Sequence, residues 1–102
     1  MKKRDLTGMM RLKIYRFIRK FKQDHDGISP TTYEIADMIG VSRTTVRHHI
    51  EFLERLGLIT LFGGQSARNI MLTGGYAAVT PEKLAEYEKI IQESETVPSN
   101  SK

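Results

Sequence analysis

TYEIADMIGVSRTTVRHHIEFLERLGLI, residues 32–59, carries two helical patterns on either side of one glycine. In the first, Ile35, Ala36, Met38 and Ile39 supply a buried side. Thr31 and Glu34 have the Thr-x-x-Glu spacing of a capping box, which marks where that helix begins. Gly40 ends it after about two turns, and Ser42 stands where a cap for the next helix belongs. In the second pattern Val46, Ile50 and Leu53 recur at spacings of four and three, predicting an inward face on a helix that runs to about Leu56. Gly57 supplies the stop.

With those three side chains inward, a helical turn of about 100° per residue sends Arg43, Thr44, Arg47 and His48 outward, with Glu51 further along. His49 turns toward the edge of the core. The adjacent histidines therefore diverge instead of converging on one ion, and a metal pair on a helix needs ligands at i and i+4. His25 is the only other histidine, and the chain has no cysteine, which excludes disulfides, thiolate catalysis and cysteine-held zinc or iron–sulfur sites. No Ser/His/acid constellation stands out, so neither a metal, a cofactor nor an enzymatic activity is expected. Arginine and threonine on an exposed helix suit DNA: arginine forks match guanine O6 and N7, and threonine meets either edge or a thymine methyl. The plain alternative is the solvated face of a core helix.

Working outward, LTGMMRLKIYRFIRKFKQDHDG predicts a helix over about residues 7–24, capped by Thr7 and stopped by Gly27. Met10, Ile14, Phe17, Ile18 and Phe21 draw its apolar stripe. Arg11, Arg16, Arg19, Lys20 and Lys22 lie mostly off that stripe, toward water or a partner, while Leu12 and Tyr15 leave apolar surface for a neighbour. After Gly57 the period changes. LITLF (58–62) and RNIMLT (68–73), separated by GGQSA, predict an antiparallel hairpin. Residues 74–79 look like a linker, and Thr80-Pro81-Glu82 opens a last helix over about 81–94. Its apolar edge is Leu84, Tyr87, Ile90 and Ile91. Residues 96–102 are polar and are expected to fray.

The 102 residues suit one domain, with 39% hydrophobic and 27% charged side chains, ordinary for a soluble globular protein. No apolar run approaches the roughly 20 residues that span a bilayer, and MKKRDLTG has no apolar signal core. A cytoplasmic protein is expected. The net charge of +4 is uneven, because residues 1–25 hold nine Lys/Arg against two acidic groups. Such a front-loaded charge suggests a polyanionic partner.

Three short helices, the second and third joined around a glycine, then a hairpin, are arranged in the order of a winged helix. The stretch 32–59 resembles the helix-turn-helix core of bacterial winged-helix transcription regulators. Ala36, the turn glycine Gly40, Val-Ser before the third helix, Thr-Val inside it and LERLGLI (53–59) carry the likeness. Over roughly residues 6–73 the chain is similar to the DNA-binding domain of LexA-type repressors. It departs from them in lacking the extra turn residue of their third helix, and no self-cleaving protease domain follows the wing. A stand-alone regulator is therefore expected, and only the DNA-binding role carries over.

The resemblance implies an α+β, mainly α, winged helix-turn-helix with an extra C-terminal helix. Residues 1–73 would form the DNA-binding domain, 74–79 a linker, and 80–95 a helix that dimerises or packs on its own domain. By the resemblance the third helix enters the major groove of double-stranded DNA, where Arg43, Thr44, Arg47 and His48 read bases. Ser42 and Thr45 would sit on phosphates, as would Thr31 and Thr32 at the start of the second helix, with Arg19 and Lys20 from the first. Gln65, Ser66 and Arg68 would serve the wing. Tyr33 fits either the core edge or a phosphate contact. A transcription regulator of a bacterium, phage or mobile element, repressing as a homodimer on a palindromic site, is the resulting expectation. The competing one is a winged helix used as a protein-interaction, replication or partition module. No small-molecule ligand is indicated.

Overall fold

The computed structural model describes residues 7–63, 68–77 and 79–94. Along the chain come α1 (Gly8–Asp24), α2 (Thr32–Ile39), α3 (Arg43–Arg55), β1 (Ile59–Leu61), β2 (Ile70–Leu72) and α4 (Pro81–Glu93). Each helix starts where a hydroxyl can accept an otherwise unused backbone donor. Thr7 Oγ1 accepts from Met10 N (3.1 Å), Ser42 Oγ from Thr45 N (3.1 Å) and Thr80 Oγ1 from Lys83 N (3.2 Å). At α2 the capping box is complete, with Glu34 N donating to Thr31 Oγ1 (3.1 Å) and Thr31 N donating to Glu34 Oε1 (2.9 Å). Gly40 closes α2 at φ 86°, a left-handed conformation that makes the short turn into α3.

β1 and β2 pair antiparallel, with Ile59 opposite Leu72, Thr60 opposite Met71 and Leu61 opposite Ile70. Ile59, Ile70 and Leu72 turn inward, whereas Thr60 and Met71 face out. The core joins Leu12, Ile14, Tyr15 and Ile18 of α1 to Ile35, Ala36, Val46, Ile50 and Leu53 of α2 and α3, and to the inward hairpin residues. Among the described residues this is a winged helix-turn-helix with an extra C-terminal helix.

That last helix changes the environment of α1. α4 runs antiparallel to α1: Ser94 lies by Arg11, Glu88 pairs with Arg16 (2.7 Å), and the Gly74–Tyr76 turn lies by Arg19 and Gln23. Ile91 is buried, and Leu84 and Tyr87 pack half-buried against the core, while Ile90, the fourth residue of the expected apolar edge of α4, stays exposed. Gly8 sits under the end of α4, where an added Cβ would lie 2.6 Å from Ser94 O and 2.8 Å from Gln92 O and Ile91 O. Only glycine allows that approach.

Covered on two sides, α1 buries a wider arc than one stripe. Leu12 and Tyr15, expected beside the stripe, are buried, whereas Met10, Phe17 and Phe21 are only half-buried. Three cations expected to face water are also inside. Arg11 is 1% exposed, Arg19 6% and Lys22 6%. Their aliphatic stems add to the apolar packing while each head group finds an acceptor. Burial lowers the pKa of both Arg11 and Lys22 and raises that of Tyr15, against the pull of Arg19. Residues 74–77, read as a linker, form a turn pinned to α1. Gln23 Nε2 donates to Tyr76 O (3.3 Å), and the Tyr76 ring lies against Gly27.

Candidate nucleic-acid interface

α3 presents two different sides. Thr45, Val46, His49, Ile50 and Leu53 are buried, and Arg43, Thr44, Arg47, His48 and Glu51 are exposed. The four side chains expected to read bases therefore lie together on one solvent-facing surface. Arg43 is oriented by a neighbour, since its guanidinium carbon lies 4.1 Å from the centroid of the Tyr33 ring on α2. A cation over a ring face is attracted by the ring's quadrupole, so Tyr33 serves as a platform. At 63% exposure Tyr33 belongs to this surface and not to the core. Arg47 lines a notch of about 200 Å³ between α3, the start of α2 and the hairpin, shared with Thr32, Glu51, Leu61 and Asn69. That is below the usual size of a small-ligand pocket.

His49 sits on the opposite side, fully buried, where its Nδ1 accepts from Arg11 Nε (3.1 Å). An accepting Nδ1 requires the ring proton on Nε2. Arg11 also reaches Ser94 Oγ and stacks over Phe52, with 3.8 Å from its guanidinium carbon to the ring centroid. One cation thus ties α1, the buried side of α3 and the end of α4.

Two expected phosphate contacts are corrected by these positions. Thr45 is 2% exposed, with its hydroxyl accepting from Ser42 Oγ (3.1 Å), so its side chain does not face a ligand. Arg19 is buried, and its Nη1 donates to the Tyr15 hydroxyl (3.4 Å) and Gly75 O (3.5 Å). Lys20, by contrast, is exposed and pairs with Asp24 one turn on (2.9 Å). It borders a groove between α1 and α2 with Phe17, Phe21 and Met38, away from the notch. The hydroxyls of Thr31 and Ser42 already cap helices, and Thr32 is half-buried at the start of α2 beside Arg47.

Gln65 and Ser66 lie outside the described residues. Arg68 lies just outside the sheet, next to the Phe62–Asn69 pairing that ends it on the loop side. Its Nη1 donates to Ser29 O (2.9 Å) and Glu34 Oε1 (3.0 Å), and its Nη2 to Glu34 Oε2 (2.9 Å). The Arg68 guanidinium first, and the Thr31 N–H next, hold the Glu34 carboxyl down at about 2. Residue patterns alone left three participants unassigned: Tyr33 as a platform, Asn69 in the notch and Glu34 as the partner of Arg68. Only Tyr33 had a usable signal, being an aromatic next to a helix cap. Among the described residues no three His, Asp or Glu side chains are grouped to hold a metal, and no helix is long and apolar enough to cross a membrane.

A family model described as an HTH domain matches residues 12–77, from within α1 to the turn before α4. The chain belongs to the helix-turn-helix domain family. No curated protein gives a significant match. The family match is general and carries nothing particular to LexA-type repressors. Membership supports a DNA-binding regulator, and such helix-turn-helix families are typically non-enzymatic.

Proposed function

We propose that this helix-turn-helix protein is a sequence-specific, double-stranded DNA-binding transcription regulator that acts as a repressor. The observation that carries the reading is the single exposed surface of Arg43, Thr44, Arg47 and His48 on a helix whose other side is locked into the core. α3 lies in the major groove, where the forks of Arg43 and Arg47 fit guanine O6 and N7, and Thr44 and His48 meet neighbouring base edges. The N-terminal turns of α2 and α3, with Thr31, Thr32 and Ser42, face backbone phosphates, because unpaired N–H groups and the helix dipole both favour an anion there. Lys20 adds sequence-independent attraction. The hairpin lies alongside as the wing. Occupying the groove excludes other proteins from that stretch, which is repression by occlusion.

Two copies on a two-fold site would double the footprint. Leu84, Tyr87 and Ile91 pack within their own chain, so of the α4 edge Ile90 is what such a homodimer would find exposed. The working compartment is the cytoplasm of a bacterium or a cell infected by phage. Selection of tight binders from random duplex DNA, followed by fluorescence anisotropy at several salt concentrations, tests the reading. The expected outcome is one preferred sequence and a steep salt dependence, about one log unit per log salt for each phosphate contact. A flat salt response, or no duplex bound at low salt, would replace it with a protein-interaction module.

A further inference from the structure

The outer edge of β2 is occupied. Ile70 N donates to Ser29 Oγ (3.1 Å), and Ile70 O accepts from Lys22 Nζ (2.7 Å). Two residues earlier, the Arg68 fork grips both oxygens of Glu34 and also reaches Ser29 O. The hairpin is thus tied at three points to the α1–α2 junction. The first two ties are buried and hold the strand. The third stands where the chain leaves the sheet toward the tip, and its side chains keep 43% and 37% exposure. A bidentate guanidinium–carboxylate pair fixes a plane as well as a distance, which the point charge of a lysine does not. The carboxylate involved also completes the α2 capping box. One acid therefore serves both the start of α2 and the loop end of β2.

We propose that Glu34 and Arg68 are positioning residues for DNA binding: their pair sets the angle at which the wing meets the duplex, and Arg68 does not itself contact DNA. The inference rests on the DNA-binding reading. Had Arg68 been a phosphate contact, Glu34 would be its competitor, and neutralising Glu34 would tighten binding. As a clasp, neutralising Glu34 weakens it. The two roles differ in sign at one residue.

Glu34→Gln isolates the clasp, because glutamine also completes a capping box while losing the charge. Anisotropy of the full chain on its selected duplex is expected to show Glu34→Gln and Arg68→Gln each weakening affinity about three- to tenfold. The double variant should be no weaker than the poorer single one, with the wild-type salt slope retained in all three. Tighter binding by Glu34→Gln overturns the proposal, as does an Arg68→Gln slope shallower by about one. Circular dichroism melting identifies any variant that fails to fold. Should Arg68→Gln do so, Arg68→Lys replaces it, and wild-type affinity there also overturns the clasp. Without DNA, amide exchange at Ile70 should quicken in Glu34→Gln, and an unchanged rate counts against the proposal. A wild-type chain that binds no duplex refutes the function, while the exchange arm still decides the clasp.

Discussion

His49→Leu is expected to cost about 2 kcal/mol of folding stability while leaving every exposed side chain of α3 in place. Arg11 is 1% exposed, and its Nε donates to His49 Nδ1 at 3.1 Å. Leucine fills a volume close to that of imidazole, so little cavity opens and the loss is that of one acceptor to a buried cation. Removing one partner of a buried donor costs about 1–3 kcal/mol, toward the upper end when the group is charged. The remaining contacts of Arg11 with Ser94 and Phe52, and the added apolar surface, hold the estimate near the middle. For a domain of this size that lowers the melting temperature by roughly 8–16 °C. Urea unfolding followed by circular dichroism, at an unchanged m value, measures it. Arg11→Met combined with His49→Leu removes both polar groups together and should recover most of the loss. A single variant within about 0.5 kcal/mol of wild type, or a double variant as unstable as the sum of its parts, refutes the reasoning.

Arg47→Ala should relax choice at about one base pair and cost ~1–3 kcal/mol on the selected duplex, read by competition binding. Equal losses on selected and random DNA would remove Arg47 from base reading. Arg19→Ala should lower the melting temperature and leave the DNA affinity of folded protein unchanged. Lys20→Ala should do the reverse, weakening all sequences alike in the same anisotropy assay. Glu34 gives a pH signature. Its carboxyl is held at about 2 in the fold against an ordinary 4.5, so its contribution is full above that ordinary value and fades as pH falls toward 2. Acid titration of stability should therefore show a flatter limb across that window in Glu34→Gln, and an unaltered limb would show the pairing to be absent in solution.

The parts of this fold that read directly from sequence are those whose cause is local. Thr31 and Glu34 are three residues apart, Val46 and Ile50 four, and the change of period after Gly57 is abrupt, so caps, helices and hairpin all declare themselves. The buried cations do not, because their acceptors are remote in the chain. Arg11 finds His49 38 residues on, Lys22 finds Ile70 at 48, and Arg19 finds Gly75 at 56. Charge on a helix usually means solvent, and only the folded partners (α3, the hairpin, the Gly75 turn and α4) show otherwise here. The clasp of Arg68 on Glu34 is invisible for the same reason. Thr45 is a different case. It stands four residues before His49 and one before Val46, so helical spacing alone turns it inward, whereas a hydroxyl near a helix start suggests a phosphate contact. The outward four on α3 follow from the inward valine, isoleucine and leucine alone.

The meeting of Gly8 with the last turn of α4 has a kinetic consequence. Arg11 and Ser94, 83 residues apart, close a loop that takes in almost the whole fold. Bringing such ends together costs on the order of 4 kcal/mol of chain entropy, so this joint forms after the shorter-range contacts of α2, α3 and the hairpin have accumulated. Contacts made late are absent from the folding barrier and present in the unfolding one. Substitutions at Gly8 or Ile91 thus act on how long a folded molecule lasts, and those at Val46 or Ile35 on how quickly it arises. The start of α1 and the end of α4 act as a latch on its lifetime.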